Sequence, residues 1–440
     1  MGRKVATIVV GLFLLSMAAI PGGANASSAD RAQTELSSLP AIEVYLNSIG
    51  VDPGSVVVQQ GRFNYAGANC PGAEWNCTSA TKVVQISTSP GPAANIVDCF
   101  PALNVTLLGL NECVIVQSSV TSLVETTNDA GCDMDASDSA KQKCKIKQSS
   151  KKGNNKAEVR MRTMQKGGSP QTATQDASIE QTSDTGNNTA KITQTIQQTL
   201  GVDPPTSVLQ EQEARQTATV NQTASTSGSN SSLVTQSLFQ DENANSGADI
   251  TQKQNAASLQ RNQDASITQQ SGTGDNNSNS SQKINQNQAA TGPGPVTQTQ
   301  GTLFISGQTK SVTQTTTAPG VDSSTPSQDE VQKQVANTAS TPTQMQFGPQ
   351  DCCSTQHGGT AANVNNVVQS NVQQNGLGGA SQSSNQVGQC NDFDTPGANC
   401  SVDQTYTQNG NTSTFNMSGP VVFSNRFCSG TTEGECTSGE

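Results

Sequence analysis

The chain has 440 residues, of which 32% are hydrophobic and 13% charged. A globular chain usually carries ~45–50% apolar and ~25% charged residues. The low charge argues against disorder driven by self-repulsion, and a net charge of −11 disfavours nucleic acid or anionic lipid as a partner for the whole surface. The excess lies in Gln, Asn, Thr and Ser. Such chains are either polar linkers or stacks that bury polar side chains in ladders.

Residues 1–26 read as a secretory signal. Arg3 and Lys4 are its basic part, Val5 to Ile20 its apolar part, and Ala24-Asn25-Ala26 its cleavage site. A membrane anchor is the competing reading, and the short apolar run disfavours it. The mature chain would start at Ser27, lose two positive charges and carry no membrane span.

Residues 27–127 read as a disulfide-stapled head. Asp30 to Gly50 suggests a short helix, with Pro40 at its start and Ile42, Leu46 and Ile49 on one side. Strand phrases follow: Val56-Val57-Val58-Gln59, Val83-Val84-Gln85 and Val114-Ile115-Val116-Gln117. Twelve cysteines in an exported chain imply disulfides. Most fall in close pairs: Cys70/Cys77, Cys99/Cys113, Cys132/Cys144, Cys390/Cys400 and Cys428/Cys436, with Cys352 and Cys353 adjacent. Residues 128–145 read as an acidic disulfide loop. Its Asp133, Asp135 and Asp138 suggest calcium, but the glycine and closing glutamate of a standard loop are missing.

Residues 146–315 hold the repeats. Ala177 to Thr199 has two alternating pieces around a turn at Asp184, Gly186 and Asn187. Alternate residues share one face of a strand, so Ala, Ile and Gln fall on one side. The stretch from Ile146 aligns to it without a gap, as does that from Ala265, and the stretch from Val220 aligns with one inserted residue. Recurrence of a face pattern marks a repeat architecture. Residues 316–350, rich in Thr, Pro, Ser and Gln, read as a linker, and residues 351–440 as a cysteine-containing β region.

An unpartnered buried amide costs ~1–3 kcal/mol. Glutamines stacked on successive rungs ~4.8 Å apart avoid that cost, because each amide donates to one neighbour and accepts from the other. The inward ladder positions are Gln59, Asn64, Gln148, Asn155, Gln181, Asn188, Gln194, Gln198, Gln222, Gln236, Gln240, Gln269, Asn276, Gln282 and Gln286. Gly186 would supply positive φ at the turn. The expected fold is all-β, a parallel β-solenoid with disulfide-stapled ends. The alternative is a set of disulfide-rich β domains joined by a disordered polar linker.

Gln59-Gln60-Gly61-Arg62-Phe63-Asn64-Tyr65-Ala66 resembles the Gln-x-Gly-x-x-Asn-x-Ala phrase of curlin, the repeat of curli amyloid subunits. Gly186-Asn187-Asn188-Thr189-Ala190 to Gln194 is similar to its second half, with a longer turn. The resemblance implies a stacked β-solenoid that can add subunits at its ends.

Lys141, Lys143, Lys145, Lys147, Lys151, Lys152, Arg160 and Arg162 concentrate positive charge. They suggest a docking stripe for an anionic partner such as a cell-wall polymer, or a lysine-guarded edge. Chemistry is sparse. His357 is the one histidine, beside Gly358 and Gly359 in an expected loop, and no nucleophile elbow or P-loop accompanies it. Phe63, Tyr65 and Trp75 could stack on a sugar or serve as core. The sequence therefore suggests a non-catalytic extracellular structural protein of a surface, fibre or biofilm matrix, needing no cofactor and partnered by itself or related repeat subunits. The alternatives are an adhesin stalk and a β-helix glycan lyase or hydrolase.

Overall fold

The computed structural model describes residues 44 and 46–48 and, from 57 to 439, most of the chain apart from short connecting segments. Residues 1–43, and with them the signal peptide, lie outside the described residues, as do Cys70, Trp75 and Cys77. Of the expected helix, residues 44 and 46–48 are helical, and Leu46 is buried.

The rest is a two-sided parallel β-solenoid. The chain alternates between a 14-stranded sheet (sheet I) and a 12-stranded sheet (sheet II). In sheet II the final strand, Cys436–Gly439, runs antiparallel to Phe423–Ser429. The other strands pair in parallel with the previous and next coil in a continuous register. One full coil is Gln171–Ser183 in sheet I followed by Asn188–Val202 in sheet II. Period-two burial makes this fold possible. Gln171–Ser183 alternates buried and outward residues up to Gln181, as do Val208–Ala224 and Asn230–Asn245 throughout.

Successive coils repeat at 33, 41, 47, 45 and 42 residues along one ladder column. The cross-section stays in register while the connections vary, which explains the irregular intervals in the sequence. Sheet I also splits locally. Val208–Ala224 is continuous, but its next neighbours are the pairs Ile250–Gln254 with Gln263–Ser271 and then Val296–Gln300 with Gln308–Thr316. Thr343–Phe347 and Gln350–Gly358 follow, and Ser381–Phe393 rejoins both halves. Asn255 and Gly301, at φ of 53° and 74°, turn the chain out of the sheet where it splits.

Several expectations need correction. Residues 128–145 are not a loop. Thr126–Ala136 is a strand of sheet II and Ser139–Ser150 a strand of sheet I. Their polar residues alternate with Ala130, Cys132, Ala140 and Cys144, which are buried. Residues 316–350 are not a linker. Asp322–Thr338 and Thr343–Phe347 form a coil, because Gln328, Gln332, Gln334, Gln344 and Gln346 continue the inward columns. Pro326 is accommodated where the pairing to Val364–Asn375 skips residues 325 and 326, so its missing donor leaves no gap in a ladder. His357 lies in the strand Gln350–Gly358 and not in a loop.

The turn glycines also have a different cause from positive φ. Gly153, Gly186, Gly228, Gly274 and Gly320 stack at one corner. A Cβ on Gly186 would stand 1.9 Å from the Gly153 carbonyl oxygen, and one on Gly274 would stand 2.1 Å from that of Gly228. Close approach of successive turns therefore demands glycine there. Ser150, Ser183 and Ser271 hydroxyls donate to the carbonyls of Gly153, Gly186 and Gly274 and close each turn.

Candidate functional site

The inner face of sheet I is written in a seven-residue phrase, Gln-x-Ala-x-Ile-x-Gln. It occurs as Gln175-x-Ala177-x-Ile179-x-Gln181 and Gln263-x-Ala265-x-Ile267-x-Gln269. Gln148, Gln181, Gln222, Gln269, Gln314 and Gln356 form one ladder, with Nε2 to Oε1 distances of 2.6–2.9 Å. Gln142, Gln175, Gln216, Gln263, Gln308 and Gln350 form a second, at 2.8–3.0 Å. In sheet II one ladder runs through Gln165, Gln198, Gln240, Gln286, Gln332 and Gln373. Another runs through Gln194, Gln236, Gln282, Gln328 and Gln369.

Many of these amides donate twice. Gln181 Nε2 donates to Gln148 Oε1 at 2.6 Å and to the Thr189 carbonyl of the facing sheet at 2.9 Å. Gln222 and Gln269 repeat this with Ser231 and Asn277. Both amide hydrogens are used, so the penalty for burying the group is avoided and the two sheets are tied together.

The ladders have a direction. Glutamine columns donate toward the N-terminal coil. The asparagine column runs the other way: Asn155 Nδ2 donates to Asn188, Asn188 to Asn230 and Asn230 to Asn276, at 2.8–2.9 Å. It ends where Asn276 donates to Asp322 Oδ1 at 2.9 Å. The column Gln334, Gln288, Glu242 ends on Glu242 Oε2 at 2.8 Å. Both acids stand at the accepting end of a ladder, where a carboxylate fits and no donor is needed. Burial still pushes the Glu242 carboxyl up to about 8, opposed by the Gln288 hydrogen bond.

Gln59 and Asn64 belong to a separate ladder set in the head. Gln85 donates to Gln59 at 2.7 Å, Gln117 to Gln85 at 3.0 Å, and Asn64 to Asn95 at 2.7 Å. This set does not join the repeats. Gln117 faces Ile146 and Asn128 faces Ala157 in the register. Gln117 Oε1 and Asn128 Nδ2 are accordingly buried without a hydrogen-bond partner. Ser119 and Thr126 stand at the levels that Gln148 and Asn155 occupy one coil later.

The coil at Gln308–Thr316 places a charged residue in the phrase. Lys310 takes the alanine slot, between Ala265 and Cys352. It is fully buried, and its Nζ donates to the carbonyls of Ser280, at 2.6 Å, and Ser327. The facing column shrinks from Val234 to Ser280 and makes room for it. Burial pulls the Lys310 ammonium down to about 7, against the pull of Cys352. Glu330 takes a slot held by Leu238 and Ile284 in earlier coils. Burial and Asp329 push its carboxyl up to about 8.

The basic group is divided. Lys141, Lys143, Lys145 and Lys147 lie on Ser139–Ser150 of sheet I, and Lys151 and Lys152 on the exposed turn that follows. Arg160 and Arg162 lie on Asn155–Lys166 of sheet II. A single stripe is therefore not formed. Several charges are matched by the adjacent coil: Lys147 with Glu180 at 3.2 Å, Arg160 with Asp129 at 3.3 Å, and Arg162 with Asp133 at 3.1 Å. Lys191, in the next coil, pairs with Glu158 at 3.0 Å. A surface cleft of about 320 Å³ opens over Gly131 between Asp133, Arg160, Arg162 and Lys191.

The cysteines follow the expected local pairing at one place and depart from it at others. Cys144 and Cys352 are buried and in no disulfide, so neither the Cys132/Cys144 pair nor a bond from Cys352 to Cys353 is present. Cys144 points into the core in sheet I while Cys132 lies in sheet II. Cys99 is in register with Cys132, whereas Cys113 lies in the other sheet. Cys390 and Cys400 likewise fall in different sheets, and Cys428 faces Cys436 across the antiparallel pair. Burial, with Asp129 and Asp176 adding, pushes the Cys144 thiol well above its usual range.

Among the described residues no group of three or more His, Cys, Asp or Glu could hold a metal ion, including at Asp133 and Asp138. No helix among them is long and apolar enough to cross a membrane. No protein-family model, curated protein or solved structure gives a significant match to the chain.

Proposed function

We propose that the chain is a secreted, non-catalytic structural protein, curlin-like in principle, that contributes to a cell-surface layer, fibre or biofilm matrix. The observation that supports this reading is the run of directional amide ladders from Gln142 to Gln373. It places the inward side chains in a stiff hydrogen-bonded stack and leaves outward Thr, Ser, Asn and charged side chains to meet solvent or other polymers. Cross-β stacks of this kind are kinetically and thermodynamically resistant, which suits an extracellular structural part. Disulfides at the ends, such as one across Cys428 and Cys436, would close the stack against fraying.

Electron microscopy of the purified mature chain, from dilute to concentrated solution, tests this. Filaments many coils long support assembly into a fibre. Discrete rods of one molecule's length favour the adhesin-stalk alternative. Turnover of a polysaccharide would overturn the non-catalytic reading altogether.

A further inference from the structure

The column Cys144, Ala177, Ala218, Ala265, Lys310, Cys352 is one inward row of sheet I. Its middle members are alanines, the smallest side chains that keep the slot dry. The last two are a nucleophilic amine and a thiol on adjacent coils. Both are fully buried, Lys310 at 1% and Cys352 at 0% exposure, and Cys352 is not in a disulfide. In-register neighbours on parallel strands lie ~4.8 Å apart, so the long Lys310 side chain can reach the sulfur above it by rotating within its slot. Its nitrogen is held by two backbone carbonyls, those of Ser280 and Ser327. Two acceptors match the two N–H groups of a neutral amine and leave its lone pair available.

We propose that Lys310 and Cys352 form a covalent sulfur–nitrogen link between neighbouring coils when hydrogen peroxide reaches the solenoid interior. The Cys352 sulfur attacks one peroxide oxygen, the O–O bond breaks, and one water leaves, giving a sulfenic acid. The Lys310 lone pair then attacks that sulfur. The S–O bond breaks, its oxygen leaves as a second water with a proton from the nitrogen, and a sulfenamide remains. One thiol, one amine and one peroxide become one S–N bond and two waters. The lowered proton affinity of buried Lys310 supports the second step, because the free amine is the nucleophile. The product would staple Gln308–Thr316 to Gln350–Gly358 at the point where the apolar filling is weakest.

Cys144 is an internal control. It is a buried free thiol in the same row, but its neighbours there are Ile115 and Ala177. The experiment treats the folded, purified full chain with hydrogen peroxide, then denatures, digests and analyses it by mass spectrometry without reductant. The expected result is a linked pair of peptides carrying Lys310 and Cys352, lighter than their sum by two hydrogens and separated again by dithiothreitol. It should be the main oxidation product of Cys352 and absent from Cys144. Lys310→Met should abolish the link and divert Cys352 to sulfinic acid. Wild-type Cys352 that stays a thiol, or reaches sulfinic acid with no link to Lys310, overturns the proposal whether or not the variant folds.

Discussion

The coil Gln171–Val202 and the coil Gln308–Thr338 share one cross-section and are filled differently. In the first, Ala177, Ile179, Ile192 and Ile196 fill the apolar slots. In the second, the same slots hold Lys310, Val312, Pro326 and Glu330. The amide positions barely change: Gln175 and Gln181 correspond to Gln308 and Gln314, and Gln194 and Gln198 to Gln328 and Gln332. Asn188 becomes Asp322, at the accepting end of its column. Apolar slots are therefore negotiable within this fold, whereas the hydrogen-bonded columns and the stacked glycines are not.

The sharpest way to break the comparison is at the glycine corner, where both coils must obey the same steric rule. Gly186→Val should cost about 3 kcal/mol or more, since its Cβ would overlap the Gly153 carbonyl and backbone must move. Urea unfolding should show a lower midpoint, and an unchanged midpoint would mean that the turns are not stacked this closely. Next in size is the ladder itself. Gln222→Leu removes the acceptor of Gln269 and the donor to Gln181. It should cost ~2 kcal/mol, because buried amide groups lose partners on both sides. Val220→Ala, in the adjacent apolar slot, should leave the amide columns intact, and comparing the two variants separates the contributions.

The charged coil should respond to pH in two opposite senses. Glu330 and Glu242 have folded values raised to about 8 from 4.5. The folded chain thus holds more protons than the unfolded chain between pH 4.5 and 8, and stability falls as pH rises through that window. Lys310 has a folded value lowered to about 7 from 10.5. There the unfolded chain holds more protons, so stability rises with pH from 7 to 10.5. Between pH 7 and 8 the two glutamates outweigh the one lysine, so the sum is a minimum near pH 8. Glu330→Gln should flatten the acid limb in part, Glu242 still contributing, and Lys310→Met should flatten the alkaline limb. Thermal melts at pH 5, 7.5 and 9.5 read both effects. Melting temperatures independent of pH would show that these groups are solvated.

The smallest effect belongs to the outer face. Arg160→Ala should change stability by less than about 1 kcal/mol, as its pairs with Asp129 and Glu158 are solvent-exposed. A large loss would make the surface ion pairs part of what holds the coils together.

Much of the inner face was legible in the sequence. Period-two alternation put Gln181, Gln194 and Gln198 on one side, and recurrence of Ile-x-Gln pointed to stacking. The columns of Gln142, Gln175 and Gln216 were missed because the repeat was read from Ala177, two residues after its first glutamine. Lys310 was missed because a single lysine in a polar chain looks solvated. Residues 316–350 misled because Pro and Thr usually mark linkers, while the inward Gln328, Gln332 and Gln334 carried the true period. The sheet change of every coil was invisible too, and it places cysteines that are close in sequence, such as Cys390 and Cys400, in different sheets.

The central claim is that amide ladders make one continuous stack through residues 171–347. Hydrogen–deuterium exchange of the intact mature chain, followed peptide by peptide, tests it most directly. The account predicts slow exchange across all strands of that range, with Asp322–Thr338 protected as well as Asn188–Val202. Exchange at unfolded-chain rates between residues 316 and 350, or throughout 171–245, would contradict it.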